Sequence, residues 1–512
     1  MAIIPLKIPD GIYKNGTENQ QAGRWSDCNL IRFYEDTIRP VLGWRLWGEI
    51  DAETDQRCPR GIHAWRSNSG SRFLAVGQYD KVYVYTINAT KTDITPSGMA
   101  TGRLNSEANV GFGGGAYSVG LYGVPIQASS NTLDATVYHF DNFGEDLLFI
   151  HTDSGILYRY DVTNPSSIAT QVTNAPSYIK AIVVSENRFV MACQTKTVNW
   201  CTQEQITDWT PTSTNSAGSI ELGTTGTIQC ATKTRKQVCF ITDEDFWVGN
   251  YLGSPFYWGF EKVGTTGIIA PKAYANIDAG VVYMGRRGFY LFAGNQVQKI
   301  NCEVADFVFD DLNASELGQI SAVTNKQYSE VIWFYPSTDN THIEKFVSWN
   351  YEKNAWTIGN MERSCGVDRG VFDYPLYVSS RHKGSPAKIR IYEHEVGIAY
   401  PEATGSNTGV PFIESGDIDL GQDKILHITK LIPDEQNLGD VNIKLKSKLY
   451  PTSTETTHPD PSSSPNFFSS TNPTPIRVSG KQVKVRFEAN TSQPSDFRIG
   501  TFRLEGKAGG GR

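Results

Sequence analysis

The stretch VVYMGRRGFYLFAGNQVQKI, Val281–Ile300, alternates runs of strong β-formers with short turns that contain glycine. Val281–Met284 and Phe289–Phe292 predict two strands joined by a tight turn at Gly285–Gly288. A second turn at Ala293–Asn295 leads into a third strand. Because a single hairpin is barely stable in water, this unit needs similar units to pack against.

Similar pairs of apolar runs recur along the chain. The units begin at residues 73, 147, 189, 238, 281, 331 and 375, and five of the six gaps fall at about 40–50 residues. This interval is typical of β-propeller blades, in which ring closure covers both faces of each small sheet. Because both faces are covered, Val82–Tyr85 and Leu147–Ile150 are apolar at every position, whereas a half-buried strand alternates apolar and polar residues. The sequence therefore predicts an all-β protein with a β-propeller of six to eight blades.

Composition agrees with a large β protein and narrows the classes of function. The 512 residues include 12% aromatic residues, 47 Gly and 24 Pro, a balance typical of many strands and turns. A formal net charge of −7 argues against a protein that coats nucleic acid through a broad positive field. The eight cysteines are scattered without a CxxC pair, so we expect reduced, buried thiols. We expect no secretory signal and no membrane span, since no apolar run approaches 18 residues.

Shifts in composition predict three parts. Residues 1–54 form an N-terminal arm or platform segment, and residues 55–400 form the propeller, with a glycine-rich insertion at 96–136. Residues 401–512 form a β-rich platform, sandwich-like and completed by the N-terminal segment. Within the platform, residues 451–475 contain 18 Ser, Thr or Pro out of 25, which predicts a long exposed loop.

The platform strands carry the first set of candidate site residues. Residues 424–512 hold 13 Lys and Arg against 8 Asp and Glu, a net charge of +5. Strand alternation places these cations on one face of a sheet whose other face is apolar: Lys444, Lys446, Lys448, Lys484 and Arg486. They are candidates for contact with phosphate or with an acidic partner, including a neighbouring subunit. The alternative is an ordinary solvated sheet face.

The insertion supplies the second set. GFGGGAYSVGLYGVPIQ, at 111–127, interleaves glycines with aromatic residues, and its candidates for a lumen or gate loop are Gly111, Gly113, Gly115, Tyr117 and Tyr122. An ordinary long blade connection is the alternative. The sequence contains no GxSxG elbow, HExxH or P-loop lysine, so we expect no catalytic residues, metal or cofactor.

Several stretches resemble one family. GRWSDCNLIRFYEDTIRPVLGW, at 23–44, resembles the opening of the tail nozzle (tail tubular protein B-like) proteins of short-tailed bacteriophages. Further similar stretches follow in the same order: EVIWFYPS at 330–337, SWNYEKNAWTIG at 348–359, MERSCGVDRGVFDYPLYV at 361–378, IYEHEVG at 391–397 and LEGKAGGGR at 504–512. The sequence departs from the family pattern at Cys28 and in the Ser/Thr/Pro-rich loop.

The resemblance implies a structural virion protein of a phage tail, assembled in the host cytoplasm, and not an enzyme. It implies a homohexameric ring below the portal and tail adaptor that docks tail fibres or other tail proteins. Double-stranded DNA would leave through the axis of the hexamer without sequence-specific binding, and loops in the lumen would retain it. A carbohydrate-binding or glycan-cleaving propeller, acting as a receptor-binding tail component, is the alternative. It predicts carboxylates and aromatics clustered at one propeller mouth.

Overall fold

The computed structural model describes residues 2–51, 58–111, 126–165, 167–381, 388–401, 409–419, 424–438, 441–450, 453–459, 467–468, 472–490 and 496–509. Within these residues the regular secondary structure is almost entirely β-strand. Seven four-stranded antiparallel sheets form the blades of a propeller, and three further sheets form a platform to which both ends of the chain contribute. The fold predicted from the repeated hairpins is therefore confirmed, with seven blades.

The blades follow one another along the chain, each built in strand order from its first strand outward. Blade 1 consists of Ile62–Arg66, Arg72–Gly77, Val82–Thr86 and Lys91–Asp93, and blade 2 of Tyr138–Phe143, Asp146–His151, Leu157–Tyr160 and Thr170–Gln171. Blade 3 consists of Ala181–Val184, Val190–Cys193, Thr197–Trp200 and Gly218–Glu221, and blade 4 of Ile228–Lys233, Gln237–Thr242, Phe246–Gly253 and Tyr257–Gly264. Blade 5 consists of Tyr274–Ile277, Gly280–Gly285, Gly288–Ala293 and Gln296–Ile300. Blade 6 consists of Ser321–Asn325, Glu330–Tyr335, Lys345–Asn350 and Ala355–Asn360. Blade 7 consists of Arg363–Val367, Leu376–Ser379, Lys388–His394 and the upstream strand Trp44–Asp51.

Each predicted repeat unit begins at the second strand of one blade and continues into the third. In blade 5, Val281 pairs with Phe292, and Phe289 pairs with Ile300, as the glycine-punctuated stretch predicts. Its second turn requires a left-handed backbone at two successive residues, Gly294 at φ 58° and Asn295 at φ 66°. Glycine and asparagine tolerate that conformation best, and it matches the twist of the flanking strands.

Closure of the ring uses a strand from the other end of the propeller sequence. Trp44–Asp51 pairs antiparallel with Lys388–His394 and becomes the fourth strand of blade 7. The first strands of blades 7 and 1 also pack against each other, so the circle is complete. The propeller strands therefore begin at Trp44, which lies within the predicted arm of residues 1–54. The strand that closes the ring comes from a part of the chain before the first repeat unit, so the spacing of the repeats does not mark it.

The platform joins the two ends of the chain in three sheets. The first sheet contains Ala2–Leu6, Phe502–Ala508, Leu426–Ile432 and Thr474–Gly480. The second contains Trp25–Asn29, Phe412–Ser415, Gln482–Ala489, Val441–Lys448 and Thr456–His458, with Ile418–Asp419 and Phe467–Phe468 paired at its sides. The third contains Ile31–Tyr34, Thr37–Pro40, Asp496–Ile499 and Glu435–Leu438. The N-terminal and C-terminal segments therefore build one unit, as predicted.

Short elements complete the described part of the chain. They are the α-helix Ala305–Asp310, the 3₁₀ turns Glu18–Gln21, Leu317–Gln319 and Lys326–Tyr328, the strand Lys91–Asp93 of blade 1, and the hairpin Glu107–Gly111 with Ile126–Leu133 in the insertion. The helix lies in the connection between blades 5 and 6.

The predicted loop at 451–475 is partly strand. Thr456–His458 and Phe467–Phe468 both pair with the strand Val441–Lys448. That strand offers unpaired backbone groups at its edge, and pairing satisfies them even where the side chains have little apolar surface to bury. Residues 451–452, 460–466 and 469–471 of this stretch, and 402–408 of the predicted boundary, lie outside the described residues.

The propeller and the platform share one core. Trp25 of the platform, Phe289 of blade 5 and Trp356 of blade 6 belong to a single continuous cluster of buried side chains. Phe487 and Phe502 meet inside the platform with ring centroids 5.2 Å apart. All eight cysteines are buried and unbonded, which confirms the expectation from their spacing.

Candidate functional site

The structure brings the five predicted cations of the platform together on one sheet face. Lys444 lies opposite Arg486, and Lys446 lies opposite Lys484. The opposite face is apolar and fully buried at Ile443, Leu445, Val485 and Phe487. The structure therefore confirms that one face of this sheet is apolar and that the other carries the five cations.

Each of these cations contacts a carboxylate of the same chain. Glu488 accepts from Lys444 at 2.9 Å and from Arg486 at 2.8 Å, and Glu414 lies 2.8 Å from Lys446 and 3.3 Å from Arg486. The other two cations have partners from more distant positions: Lys448 lies 2.6 Å from Glu18 and 3.0 Å from Asp417, and Lys484 lies 2.6 Å from Glu455.

The resulting platform charge network contains five cations (Lys444, Lys446, Lys448, Lys484, Arg486) and five carboxylates (Glu18, Glu414, Asp417, Glu455, Glu488). Its formal charge is balanced, so the face projects little net positive field. The cations are also largely covered, with side-chain exposures from 2% at Lys448 to 29% at Lys444. Contact with phosphate or an acidic partner stays a prediction, and it would require these internal pairs to exchange partners.

Two carboxylates of the network have lowered pKa values. Burial alone would raise the pKa of Glu488, but Lys444 and Arg486 outweigh it and the pKa is lowered. The same balance, with Lys484 as the main partner, lowers the pKa of Glu455. The cations thus stabilise the ionised form of both carboxylates.

This coupling predicts a loss of platform stability in acid. A carboxylate whose folded pKa is depressed contributes stability above its unfolded pKa, and that stability is lost as pH falls through the folded value. We expect the thermal midpoint of the wild type to fall as pH drops below 4.5, the ordinary glutamate value, and to fall less steeply in Glu488→Gln. Thermal melts across this range measure the difference. Identical slopes in the two proteins would contradict the assignment.

The gate candidates fall mainly outside the described residues. Gly111 ends the strand Glu107–Gly111, whereas Gly113, Gly115, Tyr117 and Tyr122 lie in residues 112–125, which the structure does not describe. The base of the insertion is fixed, because the buried carboxylate of Glu316 accepts from the backbone N–H of Ser106 at 3.1 Å and from its hydroxyl at 3.1 Å. This contact ties the insertion to the connection between blades 5 and 6. The gate role stays a prediction.

Five of the six stretches that carry the family resemblance converge on one buried junction between the platform and blades 6 and 7. Arg32, from the stretch at 23–44, is 1% exposed and forms two hydrogen bonds to each of two carboxylates. One is Glu330 of EVIWFYPS, at 3.1 and 3.2 Å, and the other is Glu395 of IYEHEVG, at 2.6 and 2.9 Å. The guanidinium also lies 3.6 Å from the centre of the Tyr328 ring.

Two further stretches contribute to this junction. The guanidinium of Arg363, from the stretch at 361–378, donates to His394 at 2.9 Å, and Trp44 stacks on His394 with centroids 5.1 Å apart. Asn350, from the stretch at 348–359, donates to the carbonyl of Phe33 at 3.3 Å. Burial, with Arg363 beside it, lowers the pKa of His394 well below its usual value, so the ring is a neutral acceptor. The charged, aromatic and amide side chains of these stretches therefore form buried contacts between segments that are distant in the sequence.

A cavity in the centre of the propeller was not predicted. It has a volume of about 340 Å³ and is lined by the inner strands of blades 1, 5, 6 and 7 and by residues next to them, including Arg60, Lys272, Tyr274 and Asp368. No sequence signal joins these residues, because they come from different blades and only ring closure brings them together.

Comparison with known proteins gives a fold likeness only. No protein-family model and no characterised protein matches this sequence. Among solved structures, virginiamycin B lyase from Staphylococcus aureus is similar at 8% identity and a TM-score of 0.42, over 68% of this chain and 99% of the lyase. The BBS1N protein solved in complex with ARL6DN aligns at 8% identity and a TM-score of 0.39, over 70% and 98% of the two chains. The Pan2 WD40 domain of Neurospora crassa aligns at 8% identity and a TM-score of 0.38, over 70% and 98%.

Two further features are absent from the described residues. Those residues contain no helix with the length and apolar character needed to cross a membrane. In the same part of the chain, no three His, Cys, Asp or Glu side chains are grouped as a metal ion would require.

Proposed function

We propose that this protein is a structural component of a short bacteriophage tail, a nozzle built from a seven-bladed propeller and a platform. The observation that carries the proposal is the junction around Arg32. Five separate stretches that resemble the nozzle family meet there in buried, paired contacts. Residues that fix the platform to the propeller are what a rigid ring subunit requires, because a ring transmits load between its parts.

In this proposal the chain forms a homohexamer in the virion tail, after assembly in the host cytoplasm. The tail adaptor lies above the ring, and tail fibres or other tail proteins dock on it. Double-stranded DNA passes along the axis of the hexamer. The balanced platform charge network suits a surface beside moving DNA, since each phosphate neutralised by a free cation would add affinity and drag.

Purified particles provide the test of this proposal. Virions from cells that express an epitope-tagged chain are expected to carry the tag in the tail, at six copies per particle. Virions purified from cells that express a tagged chain with Arg32→Met serve as the matched sample, and we expect them to lack the tag. Absence of the wild-type chain from purified particles would contradict the proposal.

A second candidate function is carbohydrate binding or glycan cleavage by a receptor-binding propeller. The central cavity favours it in one respect, because Tyr274 and Asp368 provide an aromatic ring and a carboxylate within one lining. The balance of that lining is cationic, however, whereas glycan cleavage commonly uses two carboxylates. A glycan array with the purified chain distinguishes the two functions: specific glycan binding that is lost in Asp368→Asn would favour this candidate.

A further inference from the structure

The central cavity is positively lined in a protein whose net charge is −7. Four cations line it (Arg60, Lys272, Lys326 and Arg369) against a single carboxylate, Asp368. That carboxylate already accepts from the backbone N–H groups of Lys326 at 3.1 Å and Arg369 at 2.7 Å. The lining therefore has an excess of positive charge that its own acidic residue does not offset.

Two of these cations lack carboxylate partners. Arg60 is 6% exposed; its Nη2 atom contacts the sulfur of Cys58 at 3.4 Å, and its buried Nη1 atom has no hydrogen-bond partner among the described residues. Lys272 forms no ion pair with any described residue, and burial lowers its pKa to about 8. The Nη1 atom of Arg60 is therefore a buried donor without a partner, which costs free energy, and such groups usually meet a ligand, an ion or water.

We propose that the central cavity binds a small anion that carries a phosphate or carboxylate group, held by Lys272 and Arg60. An arginine fork matches the oxygens of either group, and a lysine adds a point charge beside it. The volume of about 340 Å³ is at the lower end of the range for small-molecule sites, which suits a compact organic anion. The site is independent of the proposed role in a tail, because it lies inside one propeller.

The test measures binding of inorganic phosphate and of citrate to the full-length chain by calorimetry and by the shift of the thermal midpoint. We expect at least one of them to bind and to raise the midpoint, since a ligand that binds only the folded state stabilises it. Lys272→Met is expected to weaken binding by about tenfold or more, because a charge-assisted hydrogen bond is lost. Phosphate and citrate together distinguish a phosphate site from a carboxylate site.

Lys299→Met is the matched control. Lys299 lies exposed on the last strand of blade 5, the blade that Lys272 precedes, so the substitution makes the same change in charge outside the cavity. We expect it to leave binding unchanged. The proposal would be overturned if neither anion binds, or if Lys272→Met and Lys299→Met affect binding equally while both variants unfold as cooperatively as the wild type. An Arg60→Gln variant covers the case in which Lys272→Met does not fold, and it is expected to weaken binding similarly.

Discussion

Replacing Arg32 by methionine is expected to lower the free energy of unfolding by about 3–5 kcal/mol. The substitution removes the only cation that contacts the buried carboxylates Glu330 and Glu395 among the described residues, and an uncompensated buried charge is costly. Equilibrium unfolding in urea, followed by tryptophan fluorescence, measures the change. Because this junction joins the platform to blades 6 and 7, we expect the platform to separate from the propeller early in the transition.

The loss of unfolding free energy caused by Arg32→Met should depend on pH. Burial raises the pKa of Glu330 to about 7, with Arg32 opposing the shift. Without Arg32, a carboxyl of raised pKa takes up a proton more readily in the folded state, which removes the buried charge. We therefore expect the variant to lose less stability at about pH 5 than at about pH 8.

Two further variants identify the cause. Arg39→Met, on the neighbouring strand, breaks an ion pair with Glu35, whose side chain is 66% exposed. This substitution should lower the free energy of unfolding by less than about 1 kcal/mol. Adding Glu330→Gln and Glu395→Gln to Arg32→Met should recover part of the loss, since the buried charges are then absent. Equal losses in Arg32→Met and Arg39→Met would show that the junction does not hold the two parts together.

The second large effect is expected in the stretch that decides the fold. Phe289 is fully buried, and its ring centroid lies 4.7 Å from those of both Trp333 and Trp356. Phe289→Ala leaves a cavity between blades 5 and 6 and should cost about 3–5 kcal/mol in the free energy of unfolding. Phe256→Ala, at a position that is 76% exposed, should change it by no more than about 0.5 kcal/mol. Similar effects of the two substitutions in urea unfolding would contradict the packing described for the blade interface.

The repeat structure could be predicted because its signal is local. In blades 1 to 5 the second and third strands are adjacent in sequence and separated by short turns, as in Gly280–Gly285 and Gly288–Ala293, and most of their residues are buried. The first strands are harder to recognise. Ser321–Asn325 alternates buried and partly exposed residues and carries polar groups, because this inner strand borders the central cavity.

The closing strand and the sites depend on contacts between distant residues. Trp44–Asp51 meets its partner Lys388–His394 across more than three hundred positions, and no repeat precedes it to mark it as a blade strand. Strand alternation predicts that Lys446 and Arg486 share a face, but their partner Glu414 lies on a separate strand, Phe412–Ser415. The sequence therefore predicts where the charges lie along each strand, while the pairing that balances them follows only from the assembled sheet.

The mass of the purified full-length chain in solution tests the central proposal most directly. Native mass spectrometry or light scattering at increasing concentration should detect an assembly of six copies of the 56.7-kDa chain, and an image of that assembly should show a ring with an open axis. A chain that stays a single copy at every concentration, alone and with virion tail proteins added, would contradict the account.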